Sequence, residues 1–260
     1  VLVRGIGPAL SGFNVTGALA QPVLGVFDSA STLIATDTGW GNPPVPGTSS
    51  VGATFRQATA TDMSSAGAFA LTPNSADCAM VLTLPPGKYT AEVSGLGNTT
   101  GVSLPEVYDL DASSPQTLLN ISARCFVGTG GNVAISGFVI GGNKSAQLLI
   151  RGIGPALTAF GLQGTVAQTS IVLLDKGGTT IVSDTGWGNP LVAGTSAVAA
   201  SYRLATAADM NSVGAFSLTP GSADSAMAVT LPPGQYTAEL SGAAGATGTG
   251  LVEVYELSGP

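Results

Sequence analysis

The chain has 260 residues, only 9% of them charged, with a net charge of −7, a pI near 4.3 and a mean hydropathy of +0.40. That composition excludes a disordered chain, which would be poor in apolar residues and highly charged. It also excludes a nucleic-acid binder, because no basic cluster exists to neutralise phosphates. No apolar run approaches the roughly 18 residues of a membrane helix, so no membrane span is expected.

Read from the N-terminus, the chain repeats itself. Residues 1–113 align with residues 148–260 without a gap, at a constant offset of 147 and with about 64 identities. Arg4-Gly5-Ile6-Gly7-Pro8-Ala9-Leu10 returns as Arg151 to Leu157, and Asp37 to Pro43 returns as Asp184 to Pro190. The segment 114–147 occurs once. The organisation expected is module one at 1–113, a single-copy connector at 114–147 and module two at 148–260. Each module is large enough for its own core, and the period is too long for the common solenoid repeats.

The predicted elements are strands. Short apolar stretches alternate with Gly, Pro, Asn and Asp punctuation. Leu24 to Asp28 and Thr32 to Thr36 read as a hairpin, repeated at Ile171 to Asp175 and Thr179 to Ser183. Thr195-Ser196 suggests the cap of a short helix running to about Leu204, matched by Ser49 to Gln57 in module one. Ala79 to Leu84, the turn Pro85-Pro86-Gly87 and Lys88 to Ser94 read as a second hairpin. Val102 to Leu110 reads as a strand that Pro105 confines to an edge or a bulge. In the connector, Leu118 to Val127 and Asn132 to Ile140 read as a hairpin about Gly128 to Gly131. The fold class expected is all-β: two tandem antiparallel β-sandwich domains, jelly-roll or Ig-like, with at most short helices.

Chemistry is sparse. Without histidine there is no usual general base near neutral pH and no ordinary zinc site. No enzyme and no cofactor are expected. Calcium at Asp37/Asp184 or Asp109/Asp111 would need a denser set of oxygens than these loops provide, so no metal ligand is assigned. Nine charges of module one have like-charged counterparts in module two, among them Arg4, Asp28, Asp37 and Glu106, which suits structural pairs and turn caps. Asp37 and Asp184 are expected to accept backbone N–H bonds in their loops. Trp40 and Trp187 are expected to cover apolar surface rather than stack on sugar. Four sequons stand at Asn14, Asn98, Asn120 and Asn143, candidates for glycosylation.

The motifs R-G-I-G-P-A-L, D-T-G-W, G-A-F-x-L, L-P-P-G-x-Y-T-A-E and L-V-E-V-Y-E, with Asn120 to Arg124 and Phe126 to Gly130, resemble a repeat of large secreted bacterial surface proteins. The Tyr89 region is similar, more loosely, to bacterial pre-peptidase C-terminal β-sandwiches. The resemblance covers nearly the whole chain and implies a secreted, non-catalytic β-sandwich module. The three lysines and the start at Val1 suit a mature extracellular chain or a fragment of one. Cys78 faces Ser225 in the repeat, and Cys125 stands where the resembling repeats more often carry a small residue. A Cys78–Cys125 disulfide, within a chain or between adjacent chains, is therefore expected.

Two modules and one connector leave a shortage of strands. Leu118, Ile121, Phe126, Val133, Ile135, Phe138 and Ile140 make the connector too apolar for a solvated linker, so it must complete one module and leave the other open. The expected function is an extracellular structural subunit that assembles with itself, head to tail, into a filament by β-strand complementation. The alternative is an adhesin or carbohydrate-binding repeat, a fragment of a larger secreted surface protein with surface glycans as partners.

Overall fold

A computed structural model describes residues 1–111, 119–189 and 191–257. The protein is all-β, and it divides into two compact units, residues 1–117 and 118–260. The connector therefore belongs to the second unit. Leu118 lies outside the described residues.

The first unit contains β1 (Leu2–Ile6), β2 (Pro22–Asp28), β3 (Leu33–Asp37), β4 (Gly47–Thr48), β5 (Thr54–Gln57), helix α1 (Ala60–Ser65), β6 (Cys78–Thr83), β7 (Tyr89–Gly95) and β8 (Leu104–Tyr108). They form a five-stranded sheet, ordered β4-β5-β6-β1-β8, and a three-stranded sheet, β3-β2-β7. All the pairings are antiparallel. The inner faces share a core that includes Val3, Leu24, Val26, Ile34, Met80 and Leu82. A second cluster, with Leu2, Ile6, Leu10, Met63 and Ala79, covers the other face of the large sheet. A strand buried on both faces reads as a continuous apolar run, as β6 does from Cys78 to Leu82, whereas β1 is fully buried yet carries Arg4.

The second unit begins with the connector strands β9 (Asn120–Val127) and β10 (Ala134–Ile140). It continues with β11 (Ala146–Ile153), β12 (Thr169–Asp175), β13 (Thr180–Asp184), β14 (Gly194–Thr195), β15 (Ser201–Leu204), helix α2 (Ala207–Ser212), β16 (Ser225–Leu231), β17 (Gly234–Gly242) and β18 (Gly248–Glu256). Its sheets are β14-β15-β16-β11-β18-β9 and β10-β17-β12-β13. Shared pairings recur at the offset of 147: Leu2↔Val81 becomes Leu149↔Ala228, and Pro22↔Gly95 becomes Thr169↔Gly242. The register shift after Val26 in β2 recurs after Leu173 in β12.

Three sequence expectations are corrected. The connector is not a hairpin: β9 pairs with β18 in the large sheet and β10 with β17 in the small one, so Gly128 to Asn132 carries the chain from layer to layer. Likewise Pro85-Pro86-Gly87 joins β6 of the large sheet to β7 of the small one instead of turning within a sheet. The helix expected from Thr195 to Leu204 is replaced by β14 and β15. The helices come a few residues later, where Thr59 and Asp62, and Thr206 and Asp209, form capping boxes. In each box the Thr hydroxyl accepts the Asp backbone N–H, and the Asp carboxylate accepts the Thr N–H.

Candidate functional site

The feature that separates the two units is one rim. In the second unit β9 and β10 close it, one strand on each sheet. In the first unit the corresponding edges, β8 and β7, have no neighbour among the described residues. Equivalent positions therefore meet different surroundings. Ala238, Leu240, Val252 and Val254 are buried, whereas Ala91, Val93 and Val107 are half-buried and Pro105 is exposed. Tyr236 is buried and stacks on Phe138 at a centroid distance of 5.7 Å, while its counterpart Tyr89 is half-buried. β18 spans 9 residues and β8 only 5.

Pro105 fits this open edge. The Glu256 N–H donates to the Leu119 carbonyl, and alternation along β18 then aims the Val252 N–H at β9. Pro105 occupies the position equivalent to Val252 and has no N–H to offer. Its ring blunts the open edge without costing β8 a bond to β1.

The connector side chains divide by alternation. Val127 and Ala134 lie in the second unit's core, with Ala123, Phe138 and Ile140 packed against it. Ile121 and Val133 are half-buried. Phe126, Ile135 and Val139 point outward, at 71%, 53% and 69% exposure. The connector thus completes the second unit, but Phe126 and Ile135 of its apolar set lie outside the core.

The open rim also changes a buried ion pair. Arg151 is 0% exposed; its Nε and Nη2 donate to Glu253 Oε2 at 2.8 and 2.6 Å, and its Nη1 donates to the Phe216 carbonyl. Glu253 sits on β18, clamped between β11 and β9. Arg4 is equally buried, but its closest approach to Glu106 on edge strand β8 is 3.4 Å, and its three guanidinium nitrogens lack hydrogen-bond partners among the described residues. Each guanidinium lies 4.2 Å from a ring centroid, Phe69 for Arg4 and Phe216 for Arg151. The surface pairs do not differ in this way: Arg56–Asp62 and Arg203–Asp209 are both bidentate and hold both carboxyls well below the usual range.

The turn residues are structural. Asp37 accepts N–H bonds from Gly39 in its own loop and from Ala79 on β6; Asp184 accepts one from Ala226 at 2.8 Å. Burial raises both carboxyls, Asp184 to about 6, against the pull of these donors. Asp77 and Asp224 each take two backbone N–H groups at the start of a 3₁₀ turn, Gly7 and Ala9 or Gly154 and Ala156. No sequence signal short of the repeat itself singles them out. Trp40 and Trp187 pack against the outer clusters, and the Trp187 indole donates to the Ala205 carbonyl.

No disulfide forms within the chain: Cys78 and Cys125 are both free. Cys78 is fully buried, and its thiol donates to the carbonyls of Pro22 and Asp37 at 3.2 and 3.3 Å. The Ser225 hydroxyl contacts the equivalent carbonyls, those of Thr169 and Asp184. Cys78 is thus a substitute for a buried serine, with its thiol pushed up to about 12 by burial. Cys125 is exposed on β9. Asn14, Asn98, Asn120 and Asn143 are all exposed. Among the described residues no group of three Cys, Asp or Glu gathers to hold a metal, and no helix is long and apolar enough to cross a membrane.

Comparison with protein-family models, with curated proteins and with solved structures found no match.

Proposed function

We propose that the protein is an extracellular structural subunit that associates with further copies of itself through the open rim of its first unit, building a filament. One observation carries this reading: among the described residues no strand covers β7 and β8 as β10 and β9 cover β17 and β18, while the first unit keeps much of the sequence those strands pack on. An open edge with half-buried apolar side chains behind it is a template for pairing with another chain. The low charge and the absence of histidine support a structural role over a catalytic one. Sedimentation and electron microscopy of the purified chain over a range of concentrations test it. Concentration-dependent fibrous assembly is expected, insensitive to salt because the contact is apolar and backbone-mediated. A monomer at every concentration would reject it.

A second reading, a sugar-binding surface module, has one observation in its favour. A cleft of about 450 Å³ in the first unit is lined by the exposed Phe13 with Phe69, Ser75 and Asp77. The aromatic pair recurs as Phe160 and Phe216. Loss of glycan binding in Phe13→Ala and Phe160→Ala together, with assembly unchanged, would favour this reading.

A further inference from the structure

Two polar side chains that line the cleft of the first unit are only partly used by the fold. Asp77 is 0% exposed; its Oδ1 accepts the Gly7 and Ala9 N–H groups, and its Oδ2 has no hydrogen-bond partner among the described residues. Ser75 has its backbone paired, the N–H to the Thr72 carbonyl and the carbonyl to the Gly41 N–H, but its hydroxyl bonds to no described residue. Buried polar atoms are satisfied as a rule, and each one left unpaired costs stability.

The same two atoms are left over in the second unit. Asp224 Oδ1 accepts the Gly154 and Ala156 N–H groups, while Asp224 Oδ2 and the Ser222 hydroxyl have no partner among the described residues. The other unpartnered atoms do not recur: Arg4 and Glu106 have bonded counterparts in Arg151 and Glu253, and Ser196 has one in Ser49. The walls recur as well. Phe13, 59% exposed, meets Phe69 at a centroid distance of 5.0 Å, and Phe160, 60% exposed, meets Phe216 at 5.0 Å. Ala159 replaces the cleft residue Gly12, where an added Cβ meets nothing within 4 Å, so the exchange costs no space.

We infer that each unit binds one ring of a neutral sugar. Its hydroxyls donate to Asp77 Oδ2 and Ser75 Oγ in the first unit, and to Asp224 Oδ2 and Ser222 Oγ in the second. Its apolar face lies on Phe13 or Phe160. This rests on the sugar-binding reading above and is independent of self-association. A carboxylate oxygen only accepts, so the ligand must bring the donors. An exposed aromatic ring beside those acceptors takes the C–H face of a pyranose. A cationic ligand would also satisfy the carboxylate. However, the Arg4 guanidinium already lies 4.2 Å from the Phe69 centroid, and Arg151 lies as close to Phe216, so a second cation would meet that charge. Both acceptors lie below the accessible surface. The Phe13 or Phe160 ring, exposed at the end of its 3₁₀ turn, therefore shifts as the sugar seats.

The test is an array of neutral oligosaccharides of glucose, galactose, mannose and N-acetylglucosamine, followed by calorimetry with the tightest binder and with glucosamine as the cationic comparison. The wild type should bind two rings per chain. Ser75→Ala with Ser222→Ala removes hydroxyls that bond nothing in the protein, so the double variant should melt no lower than the wild type while its affinity falls roughly tenfold or more. Ser75→Ala alone should halve the stoichiometry. Asp77→Asn with Asp224→Asn keeps Oδ1 for the backbone, turns the free acceptor into a donor, and should abolish binding. Serine and asparagine variants that bind as the wild type does, beside a Phe13→Ala and Phe160→Ala variant that does not, would overturn the inference and leave the sugar-binding reading standing. A preference for glucosamine over N-acetylglucosamine would overturn it in favour of an ammonium ligand. A wild type that binds no neutral glycan would remove both.

Discussion

The two units share a backbone plan and most of their side chains, yet one is closed along a rim where the other is open. Tyr89-Thr90-Ala91-Glu92 and Tyr236-Thr237-Ala238-Glu239 are the same four residues on the same pair of strands. Ala238 is 0% exposed and Ala91 is half-buried, because β10 lies over one and nothing described lies over the other. Burial here is set by neighbours, not by the residues themselves. The ion pairs show the same dependence at a distance. Arg151 and Glu253 meet at 2.6 Å with β18 held on both sides, while Arg4 and Glu106 stand at 3.4 Å with β8 held on one. A missing strand therefore reaches an internal charge through the position of the strand it should have flanked.

The largest expected effect comes from erasing the difference. Replacing residues 119–146 with a flexible Gly/Ser linker removes Val127 and Ala134 from the core and uncovers β17 and β18. The second unit should lose on the order of 5 kcal/mol, measured by urea unfolding, and β17 and β18 should exchange amide hydrogens as β7 and β8 do.

Next come the arginines. Arg151→Leu strands a buried Glu253 and should cost about 3–5 kcal/mol. Arg4→Leu removes a guanidinium without hydrogen bonds and should cost roughly 1–2 kcal/mol less. Equal losses would mean that the looser pair of the first unit carries no energetic difference.

Acid sharpens the comparison within one unit. Burial lifts the Asp184 carboxyl to about 6, so the folded state holds its proton more tightly than the unfolded chain, whose value is about 3.9. Its contribution is complete below that unfolded value and is lost as pH rises through about 6. Arg203 depresses Asp209, whose contribution is present above about 3.9 and is lost as pH falls below it. Stability of Asp184→Asn measured against pH should therefore show a flatter profile between about pH 4 and 6 than wild type, with the acid limb set by Asp209 retained.

The smallest effect belongs to the cysteine. Cys78→Ser gives the first unit the residue of the second, with the same two carbonyls within reach, and should change stability by about 1 kcal/mol or less. A larger loss would show that the buried thiol packs in a way Ser225 does not reproduce.

Much of this was legible in the residues. The offset of 147 predicts two like modules and one unshared segment, and Pro105 marks β8 as an edge because a ring nitrogen cannot donate. Strand partners were not legible. The apolar stretches Ala79 to Leu84 and Asn132 to Ile140 identify strands but are silent on which sheet receives them, so two layer-crossing arches read as hairpins. The helices were misplaced because Thr195-Ser196 resembles a cap, whereas Thr206 with Asp209 satisfies both halves of the box. The cysteine pair failed for a similar reason: two departures from a pattern look like partners, but one of them only replaces a serine hydroxyl inside a core. The rim itself was legible as a shortage and not as a place, since only the fold shows that the two missing strands belong to different sheets at one edge.

The most direct test of the open rim as an assembly surface is amide hydrogen exchange at β7 and β8, followed from dilute to concentrated protein, with β17 and β18 as the internal reference. The account predicts fast exchange of the outward-pointing amides of β7 and β8 in dilute solution, protection that grows as copies associate, and protection of β17 and β18 throughout. A dilute monomer whose β7 and β8 amides are already as protected as those of β17 and β18 would contradict it.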